Sequence, residues 1–333
     1  MALQRVDHID PATVSTVESL VESMRAVGVL GAGRVGRASS IVARMFEDPD
    51  CLTYMSLSGP MVAGGLRKIL AALIRKGFID ILVTSGANVV HDLIEAYGGT
   101  HFRAPLVTDD VALRESGTGR IGDILVRQEE FEILEKRIYE FLDSLTRDQR
   151  TSLAPSEFLT LLGASLDDDD SILRQASLRG VPVISPGLMD SMLGFHIYTY
   201  STCNACSLDF VKDLRIVAGR VSSAKRTGAI MLGGGLSKHF TMGSTILRGG
   251  LDLAVQITTD RPEAGSLSGA PLAEGVSWQK VQVQADFETV IGDATILFPL
   301  IILGIPSVQR TLRGHTGTDN PTQSRQLDMV SPE

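Results

Sequence analysis

Cysteine, tryptophan and positive charge are scarce in this chain, and each scarcity closes a class of function. Three cysteines among 333 residues make no disulfide framework. Cys203 and Cys206 form a lone CxxC; with no second Cys or His pair nearby, incidental thiols are a plainer reading than zinc or redox chemistry, and no metal is expected. The net charge of -8 leaves no basic footprint for nucleic acid or an anionic membrane surface. No apolar run reaches the length of about 18 residues that a membrane span needs. The longest, ATILFPLIILGI (294–305), is interrupted by Pro299. The N-terminal MALQRVDHIDPATVS carries acids and lacks an apolar stretch, so no signal peptide is expected and the expected location is cytoplasmic.

What is present is a core-forming composition, 44% hydrophobic and 21% charged, which excludes global disorder. Short β-rich runs repeatedly enter glycine turns and then helical stretches. CLTYMSLSG leads into GGLRKILAALIRKG, IDILVTSGAN into VVHDLIEAYGG, and TGAIMLGGG into LSKHFTMGSTILRGG, while VPVISPG and LAVQITTD read as further buried strands. Such alternation requires crossovers, hence an α/β fold: a Rossmann-like, largely parallel sheet with helices on both faces and ligands beyond the strand C-termini. A single domain is expected over 1–311, with a polar, aperiodic and mobile tail over 312–333. In EEFEILEKRIYEFLDSLTRDQR, Phe131, Leu134, Ile138, Phe141 and Leu142 form the apolar stripe of a surface helix. The acidic run Asp167–Asp170 precedes SILRQASLRG, and its last members are placed to cap that helix.

Three motifs bear on chemistry. GAGRVG, Gly31 to Gly36, satisfies G-x-G-x-x-G, but that fingerprint needs a strand feeding the first glycine. The preceding TVSTVESLVESMRAVGV reads as helix, leaving at most Val27 to Leu30 for a strand, so the motif is set aside. A second stretch is better placed: AIML, a credible strand, runs into Gly233, Gly234 and Gly235 and then SKHF. Bare glycines admit a ligand to the backbone and a helix start offers amides to phosphate, although a plain tight turn reads equally well. Lys238-His239 follows at once, and a histidine there could move a proton. The third stretch, SLSGAPLAEGVSWQK, holds the only tryptophan, Trp278, between Glu274 and Lys280. A carboxylate beside an indole suits an alkylammonium; spacing alone leaves Lys280 an ordinary lysine and the tryptophan structural.

These segments, GAIMLGGGLSKHF, DLAVQITT, GSLSGAPLAEGVSWQK and GDATILFPL, in this order, resemble the deoxyhypusine synthase family over its catalytic half. GGLRKIL, IDILVTSGANVVHDLI, RIGDILV and VPVISPG extend the likeness to about residues 25–305. The resemblance implies NAD-dependent aminobutyl transfer. NAD takes a hydride from the carbon next to spermidine's secondary amine, an active-site lysine captures the imine and releases 1,3-diaminopropane, and an acceptor amine displaces the lysine before reduction. The acceptor is a lysine of the hypusine-bearing translation factor, or putrescine in the related homospermidine synthase. The likeness makes Lys280 the nucleophile and His239 the base. It puts Glu274 and Trp278 along the polyamine channel and NAD on Gly233, Gly234, Gly235, Ser85, Gly86, Thr259, Ser268, Asp293 and Ala294. It also implies a homotetramer with sites at dimer interfaces.

The chain departs from the family pattern where a polycation would be gripped. Ala264 and Leu267 stand where the family pattern D-G-S-D-S-G-A has carboxylates, Val90-His91 where it has an acidic pair, Phe240 for a second histidine, Gly243 for an asparagine, and Pro60 for another asparagine. Each lost charge-assisted contact costs about 1.5–3 kcal/mol, with Glu263 a candidate substitute. The implied cofactor and lysine residues remain while the donor amine is open, so NAD-dependent oxidation of another amine and a non-catalytic NAD-binding relative stand as alternatives.

Overall fold

The computed structural model describes residues 4–314. Among the described residues nine strands form: β1 (Cys51–Leu57), β2 (Ile81–Thr84), β3 (Phe102–Arg103), β4 (Thr118–Ile121), β5 (Ile124–Arg127), β6 (Val183–Ile184), β7 (Arg226–Leu232), β8 (Leu251–Thr258) and β9 (Val281–Ile291). Six of them make one sheet in the order β6-β2-β1-β7-β8-β9, and every neighbouring pair is parallel. The expected runs are these strands, and β1 and β2 are buried throughout, as strands covered on both faces must be. The β3-β5-β4 antiparallel sheet and edge strand β9 were not anticipated.

Numbered by their own sequence, the six strands run 3-2-1-4-5-6. The chain builds outward from β1 through β2 to β6, then returns to β7 and builds the other way through β8 and β9. The direction reverses between β1 and β7, where the crevice beyond a doubly wound sheet opens.

Helices cover both faces. On one, Leu30–Glu47 and Ala294–Leu303 pack on Met55, Ile230, Val255 and Ile257; on the other, Phe210–Ser223 and Gly235–Ser244 cover Tyr54, Ala229, Met231 and Ala254. The Gln128–Ser144 helix buries Leu134, Ile138 and Leu142, the core of the expected stripe.

GAGRVG lies within the Leu30–Glu47 helix, and Val27–Leu30 is the bend after the Val17–Val27 helix, with Gly28 left-handed at φ 70°. Two of its glycines serve packing: a Cβ on Gly33 would fall 2.3 Å from Gly28 C, and one on Gly36 2.4 Å from Arg25 Cα. Arg34 donates to the Thr289 carbonyl (3.1 Å) and Arg37 to Asp286 (3.2 Å), tying this helix to β9.

The acidic run does not cap the next helix as expected. Ser171 is the N-cap of Ile172–Arg179, while Asp168 and Asp170 pair with Arg67 and Lys68. The carboxylate at that helix start is Asp92, buried, accepting from Ile172 N (3.1 Å), Leu173 N (2.9 Å), Ser171 Oγ (2.8 Å) and Arg67 Nε (2.7 Å). It comes from 80 residues away in sequence, so a local reading could not supply it. The expected tail begins too early, because Leu312 and Arg313 belong to the Pro306–Arg313 helix; residues 315–333 lie outside the described residues.

Candidate active site

Parallel strands deliver all their C-terminal loops to one rim. β2 leads into Ser85, the N-cap of Gly86–Ala96; β7 leads into Gly233-Gly234, ahead of Gly235–Ser244; β9 ends ahead of Asp293, whose Oδ1 caps Ala294–Leu303 by accepting from Thr295 N (2.7 Å). Three helix N-termini therefore open on this rim, and their positive dipole ends favour an anion. Exposed Thr259 follows β8. Asn88 joins the β1 and β2 loops, donating to Gly59 O (3.0 Å) and accepting from Val62 N (3.1 Å).

At the reversal point, Ser58 N donates to Leu232 O (2.9 Å) and the Ser58 hydroxyl donates to the Gly234 carbonyl. The glycine turn requires glycine. Gly233 and Gly235 have φ of 75° and 56°, and a Cβ on Gly234 would stand 2.3 Å from Ser268 Cα. Gly235 N donates to Ser268 Oγ (2.9 Å). The stretch between β8 and β9 thus folds back onto the turn, and Ser268 meets the glycines there.

Lys238 has a role its sequence neighbourhood did not reveal. Its side chain is 1% exposed, and Nζ donates to Gln256 Oε1 (3.0 Å), Leu267 O (3.0 Å) and Ala270 O (2.7 Å). Burial pushes the ammonium down to about 8, with Glu274 opposing. A depressed lysine often marks a nucleophile, yet this one has all three donors engaged and no approach path for a substrate.

Lys280 stands elsewhere. It immediately precedes Val281, which pairs with Leu251 at the start of β8, whereas Ile291 pairs with Thr258 at its end. Seven strand steps separate those ends, about 23 Å, so within one chain the lysine lies at the opposite sheet edge from the rim. Regular helix does not extend to it. Helix Glu274–Ser277 stops before Trp278, and Gln279 is left-handed at φ 56°, which turns Lys280 back until Nζ lies 5.8 Å from the Trp278 ring centroid. Lys280 N donates to Gly275 O (2.8 Å), closing that turn. Trp278 is 69% exposed, and Glu274 and His239 are also exposed. His239 sits on the helix descending from the rim, about 6 Å along its axis from Gly235.

The comparisons with known proteins bear directly on this arrangement. The profile of the family described as "Deoxyhypusine synthase" matches residues 19–305. The chain belongs to the deoxyhypusine synthase family. It is 48% identical over 304 residues to a "Probable deoxyhypusine synthase" of Methanothermobacter thermautotrophicus, covering 91% of this chain and 98% of the relative. A Methanopyrus kandleri protein of the same description is 44% identical over 292 residues, covering 87% and 93%. A crystal structure of a chain assigned as a deoxyhypusine synthase in Entamoeba histolytica superposes with a TM-score of 0.65 at 22% identity, covering 91% and 97%, which shows the shared fold.

In this deoxyhypusine synthase family member the departures from the family pattern have definite positions. Ala264 closes the short helix Pro262–Ala264 and Leu267 lends only its carbonyl, to Lys238. Glu263 is exposed on that same loop. His91 is buried, its Nδ1 2.9 Å from His101 Nε2, while His101 Nδ1 lies 2.9 Å from Glu95 Oε1. Burial, reinforced by His101 and opposed by Glu95, pushes His91 down to about 4. The position is therefore neutral at neutral pH. Membership in this family supports a transferase.

Proposed function

We propose that the protein transfers the aminobutyl group of spermidine in an NAD-dependent reaction, through an imine on Lys280, to a lysine of the hypusine-bearing translation factor. The observation that carries the cofactor reading is the 3-2-1-4-5-6 strand order with a glycine turn at the reversal point whose Cβ-free backbone meets Ser268. A dinucleotide pyrophosphate fits such a rim, facing glycine backbone and helix N-termini. Ser85, Gly86, Gly233–Gly235, Thr259, Ser268, Asp293 and Ala294 would hold it. When bound, NAD would take a hydride from the carbon next to spermidine's secondary amine and return it after transfer.

The chain's own groups do the rest. His239 takes the proton of the secondary amine. Glu274 and the Trp278 face hold the substrate's ammonium by charge and cation–π attraction. The Lys280 amine adds to the imine carbon, 1,3-diaminopropane leaves, and the acceptor amine then displaces the lysine. Because rim and lysine lie about 23 Å apart along the strand direction, and Trp278 stands open to solvent, we assign the working form to a homotetramer in which a neighbouring copy completes each site.

The test offers NAD and spermidine with either the translation factor or putrescine and identifies the products by mass spectrometry. The reading expects diaminopropane release and a factor lysine heavier by one aminobutyl group. Homospermidine alone would move the acceptor to a free diamine. Net reduction of NAD without transfer would make the protein an amine dehydrogenase.

A further inference from the structure

Beneath the rim lies a charged side chain that the transfer chemistry does not use. Lys238 is enclosed, and all its hydrogen bonds end on neutral oxygens. Burying an ammonium without a carboxylate partner is costly, and an apolar side chain of similar volume would avoid that cost. The lysine must therefore provide something that packing alone would not. Its principal side-chain partner, Gln256, is itself 0% exposed in the middle of the sheet, and the Gln256 amide donates to Gly233 O (3.1 Å) and Ser268 O (2.8 Å). Together these five bonds join the Gly235–Ser244 helix, β8, the glycine turn and the Leu267–Ala270 loop. That loop needs anchoring, because every residue from Thr259 to Leu267 is exposed.

We propose that Lys238 and Gln256 are positioning residues for the cofactor: they fix, from below, the spacing between the Gly233–Gly235 turn and Ser268, and so set the affinity for NAD without touching it. The inference rests on the NAD reading given above. Both side chains are buried and bond only to each other, the turn and the loop, so the brace acts on binding and leaves the lysine chemistry intact.

Full-length parent, Lys238→Met and Gln256→Glu are compared by calorimetric titration with NAD, by amide hydrogen exchange over residues 264–272, and by diaminopropane release at saturating NAD. Lys238→Met should weaken NAD about tenfold or more and speed exchange across Leu267–Ala270, while release at saturation changes less than about threefold. Gln256→Glu still accepts from Lys238 but loses both amide donors, and it should weaken NAD by about three- to tenfold. NAD affinity within about twofold of the parent in both variants, with unchanged exchange, overturns the brace. Should Lys238→Met lose its cooperative unfolding transition, Gln256→Glu decides alone, and parent-like affinity in it overturns the proposal. A parent that binds no NAD at all refutes the cofactor reading itself, which is distinct from a parent that binds and variants that bind equally well.

Discussion

Replacing Gly234 by alanine adds one methyl group where the fold has no room for it. The new Cβ would lie 2.3 Å from Ser268 Cα and 2.6 Å from its Cβ and Oγ, so backbone must move. Overpacking of this kind costs about 1–3 kcal/mol. Displacing Ser268 also breaks its 2.9 Å bond from Gly235 N, worth about 1 kcal/mol. The sum, about 2–4 kcal/mol, corresponds to a fall in Tm of about 3–6 °C for a chain of this size. The same exchange at Gly219, exposed in the Phe210–Ser223 helix with nothing within 4 Å of its Cβ, should instead stabilise by about 0.5–1 kcal/mol. Scanning calorimetry of both variants with and without NAD separates them. Gly234→Ala should melt lower and lose most of the Tm increase that NAD confers, while Gly219→Ala should melt at or above the parent and keep it. Equal melting and equal NAD response in the two variants would refute the close-packed glycine turn.

Other predictions follow from buried polar groups. His91 titrates at about 4 in the fold against an ordinary 6.5, so between those values the unfolded chain binds a proton the folded chain refuses. Stability is therefore lost as pH falls from about 6.5 to 4, by up to about 3 kcal/mol, and His91→Gln should flatten that part of the urea-unfolding profile; an identical profile contradicts it. Asp92→Ala removes the acceptor of four hydrogen bonds, including one from buried Arg67, and should destabilise by about 3–5 kcal/mol in denaturant titration. A loss under about 1 kcal/mol would mean that Asp168 and Glu95, which also face Arg67, carry that charge unaided.

The sheet was legible because strands buried on both faces read as unbroken apolar runs, and TGAIMLGGG showed both β7 and its turn. β9 was not, although Val281-Gln282-Val283-Gln284 alternates with period two. It follows directly on SWQK with no turn residue between them, and its register against β8 is broken between Leu251 and Leu253. The context test on GAGRVG succeeded for a physical reason: no strand feeds the motif, and Gly33 and Gly36 serve close helix packing instead. Asp92 and Lys238 could not be read from sequence. Their partners come from distant segments, and a buried ammonium bonded to carbonyls looks, in sequence, like any lysine before a histidine. The turn at Gln279 was equally hidden, since a left-handed non-glycine residue has no local signature, yet it decides which way Lys280 faces.

The covalent step is tested most directly by borohydride trapping. Protein incubated with NAD and spermidine, reduced with borohydride and digested should carry an aminobutyl group on Lys280, with one 1,3-diaminopropane released per label, and Lys280→Ala should carry none. Label on Lys238, or diaminopropane release undiminished in Lys280→Ala, would contradict the assignment of Lys280 as the group-carrying amine.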